Sequence, residues 1–279
     1  VTKPLLFSST RLSGLTRRAA LPLLAALALA GCGGLGGTQP PAATGDIHVM
    51  TSGGFTAAYN DLRPAFERSS GRSVKTAYGA SMGNADDSIP SRLARNEPAD
   101  VVILARPALD ALVAQGKVVP GSQVDLVRSA IGFAVRKGAP KPDISTVDAL
   151  KRTLLAAPSI AYSASASGTY YETELLKKLG IEEQVKPRSK RILSERVGTV
   201  VARGDAALGL QQVSELLPIA GIDYIGPLPA EVQRVTVFSA GIATASKQPD
   251  AAQQLIRYLN SPAAAPAIAK TGLEPLTAR

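Results

Sequence analysis

Ile47-His48-Val49-Met50-Thr51-Ser52-Gly53-Gly54 opens the main part of the chain, and its reading decides the architecture. The first four residues, apolar apart from His48, read as a strand that stops at small hydroxyl residues and glycines. Thr56 to Arg68 then sets Tyr59, Leu62 and Phe66 at helical spacing, with Pro64 as an expected kink. A strand, a Ser/Gly turn and an amphipathic helix in succession form the unit of an α/β sheet. The unit recurs. Val74 to Tyr78 reads as a strand ending in Gly79-Ala80-Ser81-Met82-Gly83, Ile89 to Asn96 as a short helix, and Val101 to Leu104 as a buried strand. Pro107 to Gln115 follows as a helix, with proline at its first position and Gly116 as its stop.

The second half repeats the theme. Ile131 to Val135, Ser159 to Tyr162, Ala207 to Gln212 and Val235 to Ala243 predict strands. Ser145-Thr146-Val147-Asp148 and Thr169-Tyr170-Tyr171-Glu172 have the spacing of capping boxes, the second opening a helix through Leu179. Asp250 to Leu259 predicts a last helix, broken by Ser261-Pro262. About 235 residues take part, enough for one large domain or two of ordinary size, with a mainly parallel sheet expected.

Outward from this body lies an export signal. Arg11, Arg17 and Arg18 precede Ala19 to Ala30, an apolar run of about a dozen residues, too short to cross a bilayer core of ~30 Å as a helix. Leu29-Ala30-Gly31 and then Cys32, the single cysteine, stand where cleavage is expected. Thr16-Arg17-Arg18 also fits a twin-arginine export signal. Gly31 to Gly36 spells G-x-G-x-x-G, but it straddles the cleavage position and follows no strand, so it is read as accidental. Residues 33–45, GGLGGTQPPAATG, read as a flexible tether. The formal charge of the whole chain is +9, and the signal holds four of those cations (Lys3, Arg11, Arg17, Arg18), leaving +5. That balance is too mild and unclustered for nucleic acid, and it suits a small anion at a cleft.

Ligands of open α/β sheets sit beyond the carboxyl ends of the strands. There this chain places Ser52-Gly53-Gly54, Gly79-Ala80-Ser81 and Ser163 to Gly168. Glycine lets backbone N–H groups approach a ligand, and serine adds a neutral donor without bulk. Read together, the three loops predict an anion cradle. Candidate contacts are Ser52, Gly53, Gly54 and Phe55 from the first loop, Ser81 and Met82 from the second, and Ser165, Ser167, Gly168 and Thr169 from the third. Gln211 and Gln212, two amides ending a strand, and Arg106, a cation just past the third strand, complete the set. An arginine there suits a carboxylate, which it grips with two parallel hydrogen bonds.

The order of elements resembles the bacterial periplasmic solute-binding proteins, and most closely their molybdate-binding branch. The matching stretches are Ser52 to Phe66, Tyr78 to Gly83, Ile89 to Ala105, Leu208 to Glu215 (LGLQQVSE) and Phe238 to Pro275. The resemblance implies a type 2 periplasmic-binding-protein fold of two lobes, each a mainly parallel sheet flanked by helices, joined by two crossings. Lobe one would be 46–128 plus 233–279, and lobe two 129–232. It also implies a lipobox, with 1–31 a lipoprotein signal peptide and the Cys32 thiol acylated as a membrane anchor. Where Gly54 and Gln212 stand, the molybdate binders carry serine and tyrosine, two departures that count against molybdate as the ligand. The G-x-S-M-G and SASG-like loops are similar to those of periplasmic aconitate isomerases.

Three functional classes are compatible with such a cleft, the third being a surface or sensory module that reports a bound ligand to a partner. The leading expectation is an extracytoplasmic solute-binding protein of an ABC-type transport system, monomeric, with a permease and an ATPase as partners. The alternative is a polycarboxylate isomerase on the same fold, since a 1,3 proton shift needs only an anion cradle and one weak base. Candidate bases are Tyr162, Tyr170, Glu215 and His48, the last also read as a core histidine of its strand. P-loop, HExxH and DxDxDG strings are absent, and no nucleophile elbow is read. The loops offer no His or Cys for a metal, Asp86-Asp87 reads as a solvated turn, and no cofactor is expected. Absence of tryptophan and few aromatics count against sugar or quaternary-amine ligands.

Overall fold

The structure is a computed structural model that describes residues 45–277. The signal segment, Cys32 and residues 33–44 of the tether lie outside the described residues. Eleven strands build two sheets: β1 (Ile47–Ser52), β2 (Val74–Gly79), β3 (Val101–Ala105), β4 (Val124–Ser129), β10 (Thr236–Ile242) and β11 (Glu274–Pro275) in the first, and β5 (Ile131–Arg136), β6 (Ile160–Ser163), β7 (Ser189–Ile192), β8 (Leu208–Gln212) and β9 (Ile222–Pro227) in the second. Their orders are β11-β4-β10-β3-β1-β2 and β7-β6-β8-β5-β9. The chain crosses from one sheet to the other at Ala130 and returns through residues 228–235. This is the two-lobed α/β architecture with two crossings.

The sheets are mixed rather than mainly parallel. β1 pairs in parallel with β2 and β3, and β6 with β7 and β8. β10 runs antiparallel to β3 and β4, and β5 antiparallel to β8 and β9. The reversal falls on strands beside the crossings, because a chain arriving from the other lobe need not follow a helical crossover.

Helices flank both sheets: α1 (Gly53–Ser70), α2 (Ile89–Ala94), α3 (Arg106–Ala114), α4 (Val147–Ala156), α5 (Ala166–Tyr170), α6 (Val197–Arg203), α7 (Val213–Leu216) and α8 (Pro249–Leu259). β3, VVILA, is buried throughout, as a strand covered on both faces requires. α8 buries Ala251, Ala252, Leu255, Ile256 and Leu259 along one face. With Phe55, Tyr59, Phe66 and Phe238 they form the core of the first lobe. Phe133, Leu150, Leu154, Tyr171 and Leu210 belong to the core of the second.

Three local expectations are corrected. α1 begins at Gly53, three residues earlier than the pattern suggests, and Pro64 lies inside it without ending it. The cap of α4 is Thr146, whose hydroxyl accepts from Ala149 N–H at 3.1 Å; Ser145 instead bonds Asp143 through its own N–H. Thr169 caps nothing, since α5 has begun at Ala166 after Ser165. A side chain at Gly168 would stand 1.6 Å from the Ser163 carbonyl oxygen, so only glycine lets that turn close on its strand.

Candidate functional site

A cavity of about 220 Å³ lies where the carboxyl ends of strands from both sheets face each other. The start of α1, just after β1, contributes Gly53 and Thr56, and the end of β2 with the residue after it contributes Tyr78, Gly79 and Ala80. From the other lobe come Ser163 to Ser165 after β6, Ile192 to Arg196 at and after β7, Gln211 of β8 and Glu215 of α7. The volume is below the ~300–1,000 Å³ of drug-sized ligand sites and suits a small molecule. Hydrogen bonds hold the lobes together around it. Ser81 N–H donates to Ser165 Oγ at 3.3 Å, Ser214 Oγ to the Gly54 carbonyl at 2.7 Å, and Thr169 Oγ1 to Met82 Sδ at 3.6 Å.

Glu215 is the chemically distinctive group. It is 8% exposed, and its Oε1 accepts from Gln211 Nε2 at 2.9 Å. The Gln211 amide is oriented by its other end, where Oε1 accepts from Val197 N–H at 3.1 Å. Burial pushes the Glu215 carboxyl up to about 7, although Arg196 and hydrogen bonds from Gln211 and the Gln212 backbone pull the other way. The carboxyl reaches across the cleft to Gly53, where a Cβ would lie 1.9 Å from Oε1. Glycine at the first position of α1 therefore makes room for an acid of the opposite lobe. α1 carries no acid in its first turn and no side-chain cap on Ser52, so its positive end stays open to negative charge.

Arg196 is the only cation among the described residues that line the cavity. Among the described residues it forms no side-chain hydrogen bond or ion pair, though its field reaches Glu215. Glu195 beside it is tied to Arg203 at 2.7 and 3.1 Å. Asp87 also lines the cavity, and its Oδ1 is buried without a partner, which corrects its reading as part of a solvated turn.

The remaining candidates are spread around this centre. Of the thirteen contacts read from sequence, Gly53, Ser165 and Gln211 line the cavity. Gly54 packs under Phe238, whose ring occupies the space of a Cβ, and Phe55 lies in the core. Ser52 Oγ is buried without a partner. Ser81 Oγ accepts from Ala105 N–H at 3.0 Å, and Ser167 Oγ pairs with Ser163 Oγ at 3.1 Å. Gln212 donates to Thr236 Oγ1 at 2.9 Å. Arg106 is held by Asp110 at 2.9 Å and Asp125 at 2.7 Å, and with Met82 and Thr169 it lines a separate cavity of about 370 Å³.

Among the other candidate bases, Tyr170 donates to the Val232 carbonyl at 2.7 Å. Tyr162 is buried against Tyr171, and burial with Glu172 nearby raises its hydroxyl, keeping it protonated at neutral pH. His48 is half-buried on β1 and absent from the cavity wall, and its backbone N–H donates to Asp100 Oδ2 at 2.8 Å. Gly79 to Gly83 spells G-x-S-x-G, which corrects the expectation that the chain holds no such string. With Ser81 fully buried and His48 off the cavity wall, the string makes no nucleophile. Sequence reasoning missed Arg196. It follows β7, a strand whose sequence SKRI is too polar to be recognised.

The chain belongs to the bacterial extracellular solute-binding proteins, whose family model matches residues 47–274, and membership makes it an exported protein. It is 46% identical over 233 residues to an aconitate isomerase of a Pseudomonas species, covering 84% of this chain and 89% of the relative. It is 27% identical over 238 residues to the molybdate-binding protein ModA of Azotobacter vinelandii, covering 81% and 89%. The fold matches the solved periplasmic molybdate-binding protein of the same organism with a TM-score of 0.67 at 21% identity, over 82% of this chain and 98% of that one. It also matches the sulfate-binding protein SubI of Mycobacterium tuberculosis with a TM-score of 0.63 at 22% identity, over 83% and 87%.

Proposed function

We propose that this protein is a periplasmic polycarboxylate isomerase that interconverts cis- and trans-aconitate by a 1,3 proton shift, tethered to the membrane through acylated Cys32. The observation that carries the reading is Glu215, a buried carboxyl on the wall of the inter-lobe cavity whose pKa of about 7 leaves it near half-ionised at neutral pH. A general base works best when its pKa lies near the working pH. The ionised carboxylate takes an allylic proton from the methylene carbon of bound cis-aconitate. The C–H electron pair becomes the new double bond, and the old double bond delivers its electrons to the former vinyl carbon. That carbon receives the proton back from the Glu215 acid. One C–H bond breaks and one forms, composition is unchanged, and no oxidant or cofactor is needed. The isomerase relative at 46% identity supports the same chemistry.

The test is incubation of the protein with cis-aconitate and chromatographic separation of the isomers. Conversion at or above ~1 s⁻¹ is the expected result, the low end of ordinary enzyme turnover. No conversion, together with tight binding of an unchanged anion, would replace this reading by transport, with a permease and an ATPase as partners. That second reading is favoured by the family match and by the molybdate-binding relative.

Gly53 supplies a further check. Gly53→Ala is expected to push the Glu215 carboxyl off Gln211, because the new methyl would overlap Oε1. A displacement of this kind costs up to ~100-fold in turnover. The flexible acid yields, so the melting temperature should move little. Turnover and thermal melts on one preparation separate the two effects.

A further inference from the structure

Arg196 lacks what a half-buried guanidinium needs. It lines the cavity, is partly removed from water, and forms no side-chain hydrogen bond or ion pair among the described residues. The other arginines near the cleft are satisfied: Arg203 by Glu195 and Asp205, Arg106 by Asp110 and Asp125, Arg234 by Glu174. A desolvated charge without a counter-ion is costly, and a ligand anion removes that cost. The same side chain also lines a neighbouring cavity of about 360 Å³ that includes Asn60, Asp61 and Lys270, so it stands in the wall between two cavities, and no ion pair joins it to Asp61.

We propose that Arg196 is the anchor for a ligand carboxylate and that it selects carboxylates over tetrahedral metal oxyanions in this cleft. The planar guanidinium offers two parallel N–H donors, spaced for the two oxygens of a carboxylate. Glu215 is close enough to feel the Arg196 charge, yet its acceptor bond is to Gln211 rather than to Arg196. The guanidinium is thus free for the ligand while the acid stays free for the reacting carbon. The assignment gives Arg196 the role that sequence reading offered to Arg106. It rests on the proposed function for the class of ligand, a polycarboxylate, and not for its turnover.

The experiment titrates the full chain and its Arg196→Gln and Arg196→Lys variants with tricarballylate, a saturated tricarboxylate that cannot isomerise, and with molybdate. Arg196→Gln is expected to weaken tricarballylate binding about thirtyfold or more, the scale of a charge-assisted hydrogen-bonded pair. Arg196→Lys should restore only part of the affinity, because a lysine keeps the charge and loses the fork. In turnover assays the KM for cis-aconitate should rise by a similar factor while kcat changes less. Undiminished tricarballylate binding by both variants would overturn the assignment, as would wild-type protein that binds molybdate and no polycarboxylate. Protein that binds tricarballylate through Arg196 and never isomerises cis-aconitate would uphold the anchor and overturn the isomerase.

Discussion

Glu215→Gln is expected to lower cis-aconitate turnover by about 100- to 10,000-fold, the range in which a positioned general base contributes. The substitution keeps the shape of the side chain and an oxygen that can accept from Gln211 Nε2, so the cavity wall should persist. What disappears is the capacity to take a proton from carbon. Binding of tricarballylate by the variant should therefore match the parent protein. Because the base must be ionised to act, parent turnover should rise with pH through the region of pH 7, where burial has moved the Glu215 carboxyl. A variant retaining more than a tenth of the parent rate would remove Glu215 from the mechanism.

The same substitution should alter stability in a direction opposite to most buried changes. The folded-state pKa of Glu215, about 7, lies above the ordinary value of 4.5 for the unfolded chain. Below pH 4.5 both states hold the proton, and the neutral acid is tolerated in its buried place. As pH rises toward 7 the unfolded chain releases the proton and the folded chain keeps it, so stability falls. Above pH 7 the folded protein must bury a charge, and the whole contribution, about 3 kcal/mol for a shift of this size, has been lost. Glutamine has no such loss. Glu215→Gln should match the parent at pH 4 and exceed it by about 3 kcal/mol at pH 8 to 9, measured by urea denaturation across that range. A parallel pH dependence in the two proteins would mean that the Glu215 carboxyl titrates normally. Stability gained together with activity lost is what a functional acid, held where folding alone would not place it, should produce.

In the second sheet, legibility in the sequence followed burial. β3, β5, β8 and β10 are apolar over most of their length, and β1 over its first half apart from His48, because both faces of the central strands are covered. β7 and β9 stand at the edges of the second sheet, carry SKRI and IDYIGP, and give no such signal. The missed strand β7 hid Arg196 as well, since a residue cannot be assigned to a strand end when the strand is not seen. The Ser/Gly loops were read as donors to a ligand. Several of them are engaged instead in closing the protein on itself, Ser81 on Ala105 and Ser165, and Ser167 on Ser163.

Residue order by itself determined the alternation of strand and helix, the α/β class and the gathering of small polar residues at strand ends, because periodicity and turn chemistry are local properties. It named Glu215 as one of four candidate bases and could not rank them. Rank depends on desolvation, and desolvation is not local. The acid becomes buried because α7 brings it against Gly53 at the start of α1, from a position 162 residues away in the chain, with Gln211 and Arg196 arranged around it. In the sequence Gly53 looks like part of a cradle for an anion. The tertiary structure made it the space into which the opposite lobe places its carboxyl, since only a residue without a Cβ leaves that space open.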